Sequence, residues 1–107
     1  MPLLTQTAQQ VNAVAGKATV SVDAGIVTTE SLVTAAGATY TLTVGCDEAD
    51  AGSIVLATIQ NGTNNAGDPS LQFVDPANNN TIVFTVVNRH ATNAFNGTLI
   101  ISFTVWN

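Results

Sequence analysis

The sequence predicts an all-β protein, a single antiparallel β-sandwich of seven to eight strands. Apolar and polar residues alternate with a period of two along several segments, as in half-buried strands. Turn residues recur at intervals of about 8–12 residues, the spacing of a sandwich or a jelly roll. No helical segment separates the strands, and parallel strands usually need such crossovers, so antiparallel pairing is expected. Strand order is a long-range property, so jelly-roll and immunoglobulin-like topologies both stay open.

The individual strands follow from the same pattern. Residues 54–59 are apolar on both faces, which is typical of a central strand. Pro76 is expected to end the short strand that precedes it. Gly and Asn tolerate positive φ and are expected at the turns. The predicted strands are residues 19–22, 25–27, 32–34, 40–44, 54–59, 71–73, 81–87 and 98–106.

Residues 1–16 are expected to form an N-terminal arm, and residues 17–107 the sandwich domain. Two interpretations compete for the arm. Thr7 with Gln10 resembles the capping box of a short helix. An isolated helix of this length is marginal in water, so we favour an extended arm that is ordered by contact with a neighbour.

Charge and composition exclude several classes of function. Only 8% of the 107 residues are charged, where about 25% is usual. The chain has two basic residues (Lys and Arg together) and seven acidic ones, which gives a net charge of −5. This charge disfavours binding to nucleic acid or to anionic membranes. No apolar run is long enough to span a membrane as a helix. The first 16 residues lack the pattern of a secretory signal, so synthesis and folding in the cytoplasm are expected.

Catalytic and metal-binding patterns are weak, so we expect no enzyme, no metal and no cofactor. His90 would have to serve any catalytic triad or dyad, because it is the one histidine. Cys46 is the one cysteine, and the adjacent acids Asp47 and Glu48 disfavour its thiolate. Asp47, Glu48 and Asp50 could hold Ca²⁺, but they lack the EF-hand spacing, and a solvated acidic loop is the simpler interpretation.

Other motifs allow a structural and a functional interpretation side by side. The tripeptides at residues 61–63 and 96–98 are both Asn-Gly-Thr, which we interpret as turns and not as glycosylation sites. Phe95 and Trp106 could form a platform for sugar stacking, although large aromatic residues more often lie in cores and interfaces. Arg89 and His90 precede the last strand and could form an intersubunit contact or merely complete their loop, and His90 could make an assembly sensitive to pH.

The C-terminal half carries a resemblance to a known class of proteins. Residues 81–106 read TIVFTVVNRHATNAFNGTLIISFTVW, and residues 24–44 read AGIVTTESLVTAAGATYTLTV. This succession of strand and turn residues resembles the small β-sandwich structural proteins of tailed bacteriophages, such as capsid decoration (cement) proteins and the head domains of fibres. The resemblance covers about residues 17–107, and it transfers no individual functional residue.

The resemblance implies a virion protein that binds the major capsid protein on the outside of the head as a homotrimer. Charge-poor surfaces suit such contacts, because charged groups are depleted from interface cores. The alternative is a receptor- or glycan-binding head domain of a phage fibre. The residues expected at interfaces are Leu3, Leu4, Val11, Arg89, His90, Phe95 and Trp106.

Overall fold

The computed structural model describes residues 8–77 and 80–106, apart from the side chain of Ala77. Within these residues the chain has eight strands in two packed sheets and no helix, and thus no helix that could cross a membrane. The prediction of an all-β sandwich is confirmed. The strands are β1 (Gln9–Asn12), β2 (Lys17–Val20), β3 (Ala24–Thr28), β4 (Thr39–Cys46), β5 (Ile54–Asn61), β6 (Pro69–Ala77), β7 (Thr81–Asn88) and β8 (Leu99–Trp106).

Each sheet has four strands. The front sheet has the order β1-β3-β8-β5, and the back sheet has the order β2-β4-β7-β6. The chain crosses between the sheets at every connection except the one from β6 to β7. The jelly-roll or immunoglobulin-like label remains a prediction.

The expectation of purely antiparallel pairing is wrong at two places. β1 pairs with β3 in parallel, and β2 pairs with β4 in parallel. Neither pair needs a helical crossover, because the intervening strand of the opposite sheet supplies the connection. β2 lies in the back sheet between β1 and β3, and β3 lies in the front sheet between β2 and β4. The other four strand pairs are antiparallel.

Part of the expected N-terminal arm belongs to the sandwich of its own chain. Gln9–Asn12 forms β1 at the edge of the front sheet, and Ala13 is buried in the core. The short-helix alternative is therefore wrong for these residues. An extended arm is not confirmed, since residues 1–7 lie outside the described residues.

Three further expectations about strands need correction. β5 is an edge strand and not a central one. β6 continues through Pro76, which an edge strand tolerates because a backbone N–H can face away from the ladder. Residues 32–34 form no strand, and only Leu32 makes an isolated bridge, to Gly97.

The core lies between the sheets and is built from alternate residues of the strands. The rings of Phe84 and Phe103 contact each other across the sheets, with centroids 5.4 Å apart. Gly25 makes room for this pair, because a Cβ at Gly25 would lie 2.7 Å from the ring of Phe103. The fully buried larger side chains are those of Val20, Val27, Leu42, Val44, Cys46, Ile82, Phe84, Val86, Asn88, Leu99 and Ile101.

The two ends of the sandwich differ in charge. The acidic end, as we call it, carries Asp23 and the turn of residues 47–53, next to the start of β5 and the end of β8. The opposite end, which we call the loop end, carries residues 29–38, 62–68 and 89–98. Asn88, completely buried, joins these three loops.

Candidate functional site

The outer face of the front sheet is the most apolar surface that the strands expose. Ile54 and Leu56 of β5 are 64% and 56% exposed. The cross-strand partner of Ile54 is Trp106, which is half-buried, as are Ile100 of β8 and Ile26 of β3 on the same face. Side chains alternate between the faces of a strand, so the even-numbered residues of β5 and β8 all point outward from the core.

No strand of the front sheet contains a charged residue. The four segments are QQVN, AGIVT, IVLATIQN and LIISFTVW. In contrast, the back sheet carries Lys17 in β2 and Asp75 in β6. The acids nearest in sequence to the front strands lie in the loops at either end, so the uncharged face has a charged rim. Interfaces have the same organisation, with charge depleted at the centre and polar groups at the edge.

An open groove crosses this face. It has a volume of about 470 Å³ and lies over β3, β8 and β5. Most of its lining residues are small, and Ile26, Leu56 and Phe103 are the larger apolar ones. The groove therefore offers apolar contact and hydroxyl groups, without a charge. Its lining residues are Ala8, Ala24, Gly25, Ile26, Leu56, Ala57, Thr58, Ser102, Phe103 and Thr104.

Comparison with known proteins gives no relative. No family model matches the chain, and neither a curated protein nor a solved structure matches it significantly.

Phe95 and Trp106 do not form a common platform. Phe95 is 2% exposed at the loop end, where its ring lies against Gly67. Trp106 is the last residue of β8 at the acidic end, and it lies on the outer face opposite Ile54. The eight-residue strand β8 separates the two ends by about 26 Å at 3.3 Å per residue. Phe95 thus packs in the core of the chain, while Trp106 belongs to the outer face of the front sheet.

The His90 side chain forms hydrogen bonds within the loop that follows β7. Its Nδ1 accepts hydrogen bonds from the backbone N–H groups of Thr92 (3.0 Å) and Asn93 (2.9 Å). The backbone N–H of His90 donates to Oδ1 of Asn88. Arg89 is exposed, and its backbone N–H donates to the carbonyl of Asp68. These contacts give both residues a structural place in the loop, while an intersubunit role for them stays a prediction.

The remaining predicted interface residues lie near the N-terminus. Val11 is half-buried on the inner face of β1 and packs against the core. Leu3 and Leu4 lie outside the described residues.

Asp50 stabilises the acidic turn of residues 47–53 through hydrogen bonds within the turn. The carboxylate of Asp50 accepts hydrogen bonds from the N–H of Gly52 and the hydroxyl of Ser53. Among the described residues, no group of three or more His, Cys, Asp or Glu side chains lies close enough to hold a metal ion.

Cys46 and His90 lie at opposite ends of β7. The backbone N–H of Cys46 donates a hydrogen bond to the carbonyl of Asn80, just before β7, whereas His90 follows the end of that strand. The Cys46 thiol is buried and donates to the carbonyl of Val22. Burial raises the pKa of this thiol. The pair is therefore not arranged as a nucleophile with its base, which requires hydrogen-bond distance.

The two Asn-Gly-Thr tripeptides lie against each other at the loop end. The carbonyl oxygen of the Asn61 side chain accepts from Asn64, and the side-chain amide of Asn96 donates to Asn65. The backbone N–H of Gly62 donates to the carbonyl of Thr98. Both tripeptides thus lie at the loop end, but neither Gly62 nor Gly97 has a positive φ, so the tight Asn-Gly turns that the sequence predicts are not formed there.

The sequence pattern does not indicate the most exposed part of the candidate surface. Ile54 and Leu56 were assigned to a buried central strand, because a run that is apolar on both faces has that pattern. A signal that could have indicated an exposed edge is the smaller residues that follow Leu56. Ala57 and Thr58 give the strand too little bulk to fill a core on two sides.

Proposed function

We propose that this chain is a structural protein that acts through surface contact, as a capsid decoration (cement) protein on the outside of a phage head. The single observation that carries the proposal is the front sheet, which contains no charged residue and exposes Ile54 and Leu56. The resemblance of residues 81–106 to phage structural proteins supplies the setting. In this proposal the outer face of the front sheet lies on the major capsid protein.

The proposed mechanism is cross-bracing of the shell. A protein that contacts several neighbouring subunits at once turns modest contacts into firm attachment, because the second contact forms at a high effective concentration. An uncharged face suits this task, since it places no unpaired charge in the contact. No catalytic step, cofactor, nucleic acid or membrane enters the proposal. The homotrimer and the jelly-roll or immunoglobulin-like topology that the resemblance implies remain predictions.

A fibre head domain that binds a receptor or a glycan is the second candidate. The groove of about 470 Å³ favours it, since small-molecule sites usually have volumes of 300–1,000 Å³. Trp106 is the aromatic side chain on the same face. This candidate predicts glycan-array binding that Trp106→Ala abolishes and Phe73→Ala, an exposed aromatic of the back sheet, leaves unchanged.

The test of the main proposal is deletion of the coding sequence from the phage genome that encodes the chain. We expect particles that lack the chain to release their DNA at a lower temperature than wild-type particles. Adding the purified chain to them restores the original temperature. Wild-type particles that contain no copy of the chain, or deletion particles with unchanged heat resistance, would contradict the proposal.

A further inference from the structure

Among the described strands, none pairs with the outer edge of β5, and this edge differs from the other three edges of the sandwich. β5 has eight residues and contains no charge, proline or glycine. β6, the back-sheet edge beside it, has Pro69, Pro76 and Asp75, and its register shifts at a bulge between Leu71 and Phe73. β1 and β2 have only four residues each. Natural edge strands are commonly protected by short length, proline, charge or a bulge, and β5 has none of these devices.

An unprotected edge of this kind pairs readily with another strand. Every second residue of β5 directs its backbone N–H and C=O away from β8, because β8 pairs with only one side of the strand. A strand that is rich in β-branched and apolar residues and carries no charge is well suited to such pairing. The adjacent side chains of Ile54 and Leu56 are already exposed and gain burial from a neighbour.

We propose that β5 pairs with β5 of a second copy of this chain, in antiparallel orientation about a twofold axis. A second copy is the partner because it brings its own unprotected β5 edge, so that one contact pairs the exposed backbone groups of both edges. Such a contact is isologous and closes after two copies. It joins two front sheets into one continuous sheet of eight strands with a single uncharged outer face. This inference does not depend on the function of the protein as a decoration protein.

The distribution of charge favours the antiparallel orientation. The turn with Asp47, Glu48 and Asp50 immediately precedes β5. Parallel pairing would place the two acidic turns side by side. Antiparallel pairing separates them by the length of the strand, about 26 Å, which exceeds the Debye length of about 8 Å at physiological salt. Each acidic turn then faces the loop end of the partner, where Arg89 partly offsets the negative charges of Glu30 and Asp68.

The register is restricted by the alternation of faces. Residues that are directly opposite in an antiparallel pair share a face, so an outward residue of β5 must face an outward residue of the copy. Pairing about Ala57 therefore places Leu56 opposite Thr58 of the second copy, and pairing about Thr58 places Thr58 opposite itself. In both registers Thr58 lies at the centre of the contact.

The contact is small, so the dimer is expected to be weak. A single pair of eight-residue strands buries less than the roughly 1,200–2,000 Å² of a standard stable interface. We therefore expect a dimer that forms with rising concentration, in the micromolar range or above. Its detection requires measurements over several concentrations.

The experiment is sedimentation velocity of the wild-type chain and two lysine variants from about 1 µM to about 1 mM, the range of weak association. Thr58→Lys places a charge at the centre of the contact, while Thr41→Lys places the same charge on an exposed residue of the back sheet. We expect wild type and Thr41→Lys to approach twice the chain mass of 11.0 kDa, and Thr58→Lys to remain at that mass. Far-UV circular dichroism and denaturant unfolding establish that all three chains are folded.

Three outcomes would overturn the inference. One is a wild-type chain that stays at 11.0 kDa at the highest concentration. Another is a complex of three copies, the homotrimer that the resemblance implies, because a twofold strand pair cannot produce it. The twofold dimer and that homotrimer are therefore competing predictions, and the measured mass decides between them. The last is equal association of the two variants, which would place the contact away from Thr58.

Discussion

Thr63 and Thr98 exchange hydrogen bonds between their hydroxyl groups and each other's backbone. The N–H of Thr63 donates to Oγ1 of Thr98 at 2.8 Å, and the N–H of Thr98 donates to Oγ1 of Thr63 at 2.9 Å. The two hydroxyl oxygens are 3.2 Å apart. The pair joins the loop after β5 to the start of β8 and makes the two Asn-Gly-Thr tripeptides one unit. A Cβ on Gly62 would overlap the hydroxyl of Thr98, so this approach requires glycine.

Replacing either hydroxyl should destabilise the chain. We expect Thr63→Val or Thr98→Val to lower the free energy of unfolding by about 1 kcal/mol, because each leaves a backbone N–H without its acceptor. Thr63→Ser keeps the hydroxyl and is expected to stay near wild type. The double valine variant should lose less than the sum of the two, because the residues share one network. Strictly additive losses in urea unfolding would show that the two threonines act independently.

Asn88 is expected to be the most sensitive polar residue. Its side-chain oxygen accepts from the N–H groups of Asp68 and His90, and its amide donates to the carbonyls of Thr34 and Asn93. Asn88→Leu leaves these groups unsatisfied in a buried place, at a cost of about 3 kcal/mol or more. Asn12→Leu, an exposed asparagine of β1, serves as the control and should change stability little. Equal unfolding midpoints for the two variants would contradict the role of Asn88 as the junction of three loops.

Loss of the His90 side chain should loosen one loop without unfolding the chain. In His90→Ala the N–H groups of Thr92 and Asn93 lose their common acceptor, so their hydrogen exchange should accelerate at least tenfold. His90→Asn should retain much of the protection, because an Asn side chain can accept from the N–H two residues further on. Unchanged exchange at Thr92 and Asn93 in the alanine variant would show that the imidazole does not hold this loop.

The chain should lose stability in alkali. Burial, together with the hydrogen bond and the negative charge of Glu30, raises the pKa of Tyr40 above its ordinary value of 10.0. Burial raises the pKa of Cys46 above 9.0. Both groups lose protons more readily in the unfolded chain. Their contribution to stability is therefore complete below the unfolded pKa values and declines as the pH rises above them.

Urea unfolding at about pH 8 and about pH 10.5 measures this linkage. The free energy of unfolding of the wild type should fall between the two values, and that of Tyr40→Phe should fall less. Glu30→Gln removes the charge beside Tyr40 and should give an intermediate decline. Identical declines for wild type and Tyr40→Phe would mean that the phenol does not contribute.

The sequence indicates most strands, because their alternation is a local property. β7 and β8 follow the predicted pattern nearly residue for residue. β1 was missed because QQVN contains one apolar residue, and its pairing with β3 is a tertiary contact. The parallel pairs were missed because their crossovers run through the opposite sheet, and a local pattern does not tell which sheet a strand joins.

The candidate surface was harder to predict than the fold. Trp106 is predicted at an interface, and it lies on the outer face of the front sheet, where its interface role stays a prediction. Ile54 and Leu56 were assigned to the interior, because the apolar run of β5 does not indicate that one of its sides stays open. The junction at Asn88 depends on three loops that are distant in sequence, so no motif indicates it.

Binding of the purified chain to phage heads tests the central claim, that the front sheet is the contact surface, most directly. Heads from the deletion strain are incubated with wild type, Leu56→Lys or Thr41→Lys and then sedimented. We predict saturable binding of wild type and Thr41→Lys, and binding weakened at least tenfold for Leu56→Lys, whose new charge lies on the outer face of the front sheet. No binding of the wild type, or equal binding of the two variants, would contradict the account.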